Sequence, residues 1–423
     1  MLKVCWTRKL SVITCNQMFL EVCVFLRNII IARLIGAETL GEFIFLVLSI
    51  RFFAMSTDLA VDRFILQTEQ SSINKALAGA HFIIRTRSCL LAVFLLIMGL
   101  LSFQGISASC YIILACGSCI RGFTHQGYRL KQRHLDFRPA LYVEGFSAVL
   151  ATFAMYATAL YFPTLEAMCF VLLAQSVMHT VLSHLISKRP YYAPAEGSML
   201  RQQLKFGLPL MCAGIAMFWS MQGERIILST VLSAIEFAHF SMVFQLALVP
   251  ILIAGRIALT LGLPLMANHK GSPVEFSILL TKFQKYHLGG AGLFVLLFIA
   301  AANPVLMLLF GADFKADLSL VALVAVAQGL RLIRIPHSVA AQAFGQTDIP
   351  FKANIIRVLA VPIAALSLSL NGSLTTLLGI ACVGEVISWA VQRTLFLTRN
   401  SQLTCSTQRP NPPTTINQTG IMP

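Results

Sequence analysis

Charge is what this sequence has least of, and the little it has is one-sided: 17 Asp and Glu against 32 Lys and Arg in 423 residues. Only 12% of the chain is charged while 57% is hydrophobic, and the mean hydropathy is +0.78. Soluble domains carry about 25% charged residues, so a soluble class is excluded. Polar stretches long enough to fold alone are absent too. Glycine-rich phosphate loops are lacking, which argues against direct nucleotide use. No single loop holds paired carboxylates or metal-ligand spacing, which argues against an enzyme and against a bound metal or cofactor. The eleven cysteines stand singly in apolar segments, as small buried hydrophobes in reduced form and not as a disulfide framework. The basic excess is not gathered into a basic domain, so nucleic acid is not an expected partner.

What the chain does have is apolar runs of membrane-spanning length. Their spacing predicts about twelve transmembrane helices, near residues 11–33, 40–62, 78–102, 107–125, 140–162, 165–186, 205–231, 236–265, 283–309, 317–345, 351–370 and 375–397. The basic start with an apolar body reads as a retained first span and not as a signal peptide, because Glu21 and Arg27 lie inside it. Lys and Arg gather in alternate connections, such as Arg129, Lys131 and Arg133 or Lys188, Arg189 and Arg201, whereas the opposite loops offer little besides Lys315. By the positive-inside rule both termini are cytoplasmic. The expectation is an all-α, multi-pass membrane protein, with residues 401–423 as a disordered cytoplasmic tail. The opposite loops are all short, which leaves no acceptor-holding domain for a membrane polymerase or glycosyltransferase.

The two halves share a pattern. "RNIIIARLIGAETLGEFIF" from Arg27 and "ERIILSTVLSAIEFAHFSM" from Glu224 each run from charge through an aliphatic stretch and a short turn to an acid and an aromatic run. "QRHLDFRPA" at Gln132 pairs with "QTDIPFKAN" at Gln346. The expectation is two six-helix bundles in the same orientation, residues 1–200 and 201–400, a parallel repeat of the transporter kind; the alternative is that any two amphipathic hairpins share this pattern.

The run "ARLIGAETLGEFIFLVLSIRFFAMSTDLAVDRFILQ" resembles the opening of the polysaccharide transport proteins, oligosaccharide flippases of the multidrug/oligosaccharidyl-lipid/polysaccharide exporter superfamily. Ala32, Arg33, Leu34, Gly36 and Gly41 fit their motif, and Asp58-Leu59 is followed by Ala60 in place of a glycine. "GLPLMCAGIAMFWSMQGERIILS", "LFGADF" and "AFGQTDIPFKANIIRVL" are similar to later parts of the family. The resemblance implies two bundles around a central cavity that opens alternately to either side. It implies a polyprenyl-pyrophosphate-linked oligosaccharide as substrate, membrane lipids as surroundings, and a polysaccharide polymerase and a chain-length regulator as partners.

A pyrophosphate head cannot shed its water in hydrocarbon unaided, and arginine, with its fixed fork of donors, suits it. Arg27, Arg51, Arg225 and Arg256 fall inside predicted spans and are the candidate substrate-binding cations. Arg51 and Asp58 stand seven apart, which predicts one shared helix face, and Gln17, Glu21 and Asn28 line a polar stripe on the first span. Glu21, Asp58, Glu144 and Glu224 read either as charge compensation or as the coupling site of a proton or sodium gradient; Glu385 falls under the same reading. Arg33, Arg331, Arg334 and Arg357, near predicted span ends, read as snorkelling residues. A peptidoglycan-precursor flippase or a multidrug cation exporter of the same superfamily are the rival readings; a basic cavity repels cations.

Overall fold

The computed structural model describes residues 19–134, 136–191, 195–269, 271–370 and 373–407. Gln17 and residues 408–423 of the expected tail lie outside them. The described residues are helical without a strand. In order they form α1 (residues 19–34), α2 (Ala37–Ser56), α3 (Val61–Gln67), α4 (Ile73–Leu100), α5 (Ala108–Arg121), α6 (Arg138–Tyr161), α7 (Leu165–Ser187), α8 (Gly197–Val231), α9 (Ala234–Asn268), α10 (Pro273–Phe310), α11 (Leu318–Ala343), α12 (Asp348–Ser369) and α13 (Leu374–Thr407). Setting aside the two-turn α3, every helix stands where an apolar run was expected. Among the described residues ten helices are long and apolar enough to cross a membrane; α5 is a shorter apolar helix.

Local chemistry fixes the ends. Thr164 caps α7 by accepting the Ala167 N–H at 3.3 Å, and Ser233 and Glu236 bond reciprocally at the start of α9. Prolines 209, 250, 304, 336 and 362 sit inside helices, as membrane helices tolerate when neighbours restore the lost bonds. Wider π turns interrupt α6 at Leu141–Phe146 and α9 at Ala258–Gly262. On α4, Leu90, Val93, Ile97 and Leu100 are exposed at helical spacing, a stripe that suits lipid and not water.

Contacts divide the chain into two compact units. The first runs to Gln245 and takes in Ala301–Asp317; the second comprises Leu246–Ala300 and the chain from Leu318 on. In the first unit the hairpins formed by α1 with α2 and by α8 with the start of α9 both turn in two residues, and they touch. A Cβ on Gly41 would lie 1.9 Å from the carbonyl oxygen of Ala234, so α2 meets the start of α9 backbone to backbone, which only glycine permits.

One expectation about the first hairpin changes and another gains partners. Exposed Arg33 donates to the carbonyls of Met307, Leu308 and Leu309 at the end of α10, at 3.3 Å and 3.0 Å for the first and last. A cation there satisfies orphan carbonyls and meets the negative end of the helix dipole. Arg51 and Asp58 do not share a helix face, because α2 ends at Ser56. Asp58 instead turns the chain, accepting the Ala60 N–H at 3.1 Å, and Ala60 takes a left-handed conformation with φ 47°. That is the position where the related motif carries glycine, which reaches such angles without steric cost.

Candidate functional site

Arg27 projects from α1 into the first unit and is buried. Its Nε donates to Thr152 Oγ1 at 3.0 Å, one terminal nitrogen to Gln175 Oε1 at 2.9 Å and the other to the Ala148 carbonyl at 2.8 Å. All three acceptors, on α6 and α7, are neutral. Among the described residues no carboxylate is ion-paired to it, so the hydrogen bonds orient the guanidinium without cancelling its charge. The next residue, Asn28, donates to Gln245 Oε1 of α9 at 3.0 Å.

Arg51 lies within electrostatic reach of both Arg27 and Arg225. Arg225, from α8, is buried; it donates to Gln222 Oε1 at 3.1 Å and stands 5.8 Å from the Phe244 ring centroid, and its Nε has no hydrogen-bond partner among the described residues. Three of the four arginines singled out from the sequence therefore belong to one unit and one electrostatic neighbourhood. Arg256 belongs to the second unit, half-buried, without an ion pair among the described residues. A guanidinium with an unused buried donor is chemically ready for an anion's oxygen.

The acids divide. Glu21 lies 4.0 Å from Arg51, and both side chains are roughly half exposed. Asp58 pairs with Arg87 of α4 at 3.4 Å; Arg87 also donates to the Ala54 carbonyl and to Thr57. Glu144, in the π turn of α6, accepts from Arg129 at 3.0 Å and from the Tyr128 hydroxyl at 3.1 Å, while Arg129 reaches Asp62 at 3.2 Å. Burial first, with Glu144 adding to it, pushes the Tyr128 phenol up to about 12, and the Arg129 guanidinium opposes the rise. Glu224 is buried on α8 beside Arg225.

The second unit holds arginines that the sequence reading misassigned, gathered on a carboxylate read as charge compensation or coupling. Glu385 of α13, 2% exposed, accepts from Arg331 Nε at 2.6 Å and Arg357 Nε at 2.7 Å, both buried. Arg334 donates to Asn354 at 3.0 Å and to Ser388 at 2.8 Å. These arginines join α11, α12 and α13 and are not snorkelling. The available signal was a polar stripe on an apolar helix: Glu385, Ser388 and Gln392 at i, i+3 and i+7, facing Gln328 and Arg331 at i and i+3.

Helices of membrane-spanning length with arginines buried among them define the class as a helical, multi-pass membrane protein. Three solved structures share the fold. They are an inward-facing multidrug resistance MATE family transporter of the MOP superfamily, at 17% identity over 92% of this chain and 96% of that one with a TM-score of 0.68; the lipid II flippase MurJ in an inward closed conformation, at 12% over 92% and 87% with a TM-score of 0.71; and a MOP superfamily transporter from Pyrococcus furiosus, described by the reverse polarity of its binding pocket, at 18% over 92% and 95% with a TM-score of 0.55. No curated protein matches the chain significantly. Residues 30–319 match the model of the polysaccharide biosynthesis protein family, and the chain belongs to that family.

Proposed function

We propose that this protein is a flippase that moves a polyprenyl-pyrophosphate-linked oligosaccharide repeat unit from the cytoplasmic to the outer leaflet of the bacterial cytoplasmic membrane, for surface polysaccharide such as O-antigen, capsule or exopolysaccharide. It works by alternating access of two six-helix bundles, residues 1–200 and 201–400, with both termini in the cytoplasm, beside a polymerase and a chain-length regulator. The observation that carries the reading is Arg27, oriented by three neutral acceptors and left electrostatically active in a membrane protein. Such a charge costs about 3 kcal/mol in a bilayer-spanning helix, and a pyrophosphate oxygen is a ligand that offsets it. Arg51 and Arg225 add to the same positive field, and Arg256 is the fourth candidate. The ion pairs of Glu21, Asp58 and Glu144 support charge compensation for those three over proton or sodium coupling.

The test is the leaflet distribution of lipid-linked oligosaccharide in cells with and without the gene. Accumulation on the cytoplasmic side with loss of surface polysaccharide is expected, and Arg27→Gln or Arg225→Gln at normal protein levels reproduces it. Unpolymerised units outside the membrane would instead favour a polymerase, and normal export by both variants would remove the arginines from the mechanism. A peptidoglycan-precursor flippase shares the pyrophosphate, so the same assay with that lipid separates the two. A multidrug cation exporter is disfavoured by a positive field that repels its cargo.

A further inference from the structure

Three histidines and a tyrosine meet at one end of the first unit. His81 of α4 and His125, in the turn after α5, are both 0% exposed; His184 stands in the last turn of α7, and Tyr191 follows it. The His81 ring stacks on Tyr191 at 4.2 Å and meets His125 edge-on at 4.9 Å, and His184 lies 5.4 Å from His125. Nothing in the transport argument uses this group.

The hydrogen bonds decide its protonation. His81 Nε2 accepts the Gln126 N–H at 3.1 Å, and His125 Nδ1 accepts the Gly127 N–H at 2.9 Å. With Nδ1 accepting, His125 carries its proton on Nε2 and donates it to the carbonyls of Arg189 and Pro190 at 3.2 and 3.3 Å. Each buried ring thus spends its one lone pair on a backbone N–H of the same turn. A protonated imidazole has two donors and no acceptor, so acid removes both bonds together and leaves two buried N–H groups facing N–H groups. The turn has no slack: a Cβ on Gly127 would lie 2.7 Å from the His125 ring. The charges that face the rings among the described residues are cationic or titrate themselves. Arg85 of α4 donates to the Tyr191 hydroxyl at 3.2 Å and lies over the Phe123 and Tyr191 rings; His184 of α7, donating to the Phe123 carbonyl, and Arg189 face His125.

We infer that His81 and His125 form an acid-released latch that fastens residues 122–134, the connection between α5 and α6, to α4, α7 and Tyr191. Above the ordinary histidine range the latch is shut. Burial, opposed by the bonds to the Pro190 and Arg189 carbonyls and helped by the charges of His184 and Arg189, holds the His125 pKa below its ordinary value, whereas in the opened turn the ring titrates near 6.5. The open form therefore binds more protons, and the stability of the closed turn falls as pH drops below about 6.5. What is released matters beyond the turn, because the same connection carries Arg129, which ties α3 to α6 through Asp62 and Glu144, and Arg133, which donates to the Ile65 and Thr68 carbonyls.

The experiment is hydrogen–deuterium exchange of the full chain in lipid nanodiscs at pH 7.5 and 5.5, read as protection factors corrected for intrinsic exchange. Protection over residues 122–134 is expected to fall at least tenfold at pH 5.5 while residues 318–343 hold theirs. His81→Gln with His125→Asn places an amide oxygen where each ring nitrogen accepted and cannot titrate, so the doubly substituted protein should keep its protection at pH 5.5. Equal acid loss in that variant, or no loss in the wild type, would overturn the latch. Should the variant not fold, 15N chemical shifts of histidine-labelled wild-type protein decide: both buried rings neutral and lone-pair-accepting at pH 7.5 and protonated on release supports it, and a ring already protonated at pH 7.5 sinks it. Neither readout depends on what the protein transports.

Discussion

The first unit and the second bury arginine in two different ways. Arg27 is held by a threonine, a glutamine and a backbone carbonyl, so its direction is fixed and its charge stays active. Arg331 and Arg357 bond one carboxylate, Glu385, and their charge is substantially answered where it stands. The same side chain in the same solvent is thus poised in one case to meet something else and in the other to tie three helices together. A guanidinium on neutral acceptors keeps its field for a partner; a guanidinium on a carboxylate has its partner already.

The comparison breaks most readily at Glu385. Glu385→Gln leaves two buried guanidiniums on a neutral amide, and removing one member of a buried pair costs about 3–5 kcal/mol; loss of folded protein in detergent, seen as an early thermal transition, is expected. An unchanged transition would make the two arginine groups equivalent. Arg27→Gln should do the reverse, leaving the transition within a few degrees of wild type while surface polysaccharide disappears. Smaller again is Arg33→Ala, which uncovers the last carbonyls of α10 and should lower stability by about 1 kcal/mol with transport reduced and not lost. Smallest is Glu21→Gln: its 4.0 Å pair with Arg51 is half exposed, and such pairs contribute little, so neither stability nor export should move measurably. Lost export there would return Glu21 to the coupling reading.

Much of the helical frame was legible because a membrane segment announces itself by local composition: each apolar run became a helix, and the repeated Arg27 and Glu224 segments became two hairpins with two-residue turns. The burial of Arg27 and Arg225 was legible for the same reason, as charges inside apolar runs. Partnerships were not. Glu385 finds Arg331 across 54 residues, and Asp58 finds Arg87 across 29, distances over which no periodicity in the sequence carries information. Asp58 was misplaced because seven residues were counted as two helical turns through Ser56, where the helix in fact stops and Ala60 turns left-handed. That His81, His125 and His184 meet was not legible for a similar reason, since they come from α4, the turn after α5 and α7.

The contact of Gly41 with the Ala234 carbonyl has a consequence for heredity. A clash with a side chain can be repaired by shrinking that side chain, so most damaging substitutions have suppressors elsewhere in the gene. Here the obstacle is a main-chain oxygen, which every amino acid presents alike. No exchange at Ala234 makes room for a methyl group at Gly41, so a selection for restored function starting from Gly41→Ala has back-mutation as its simplest outcome. Lineages that keep this packing inherit the glycine as a fixed point around which the rest of the hairpin is free to drift.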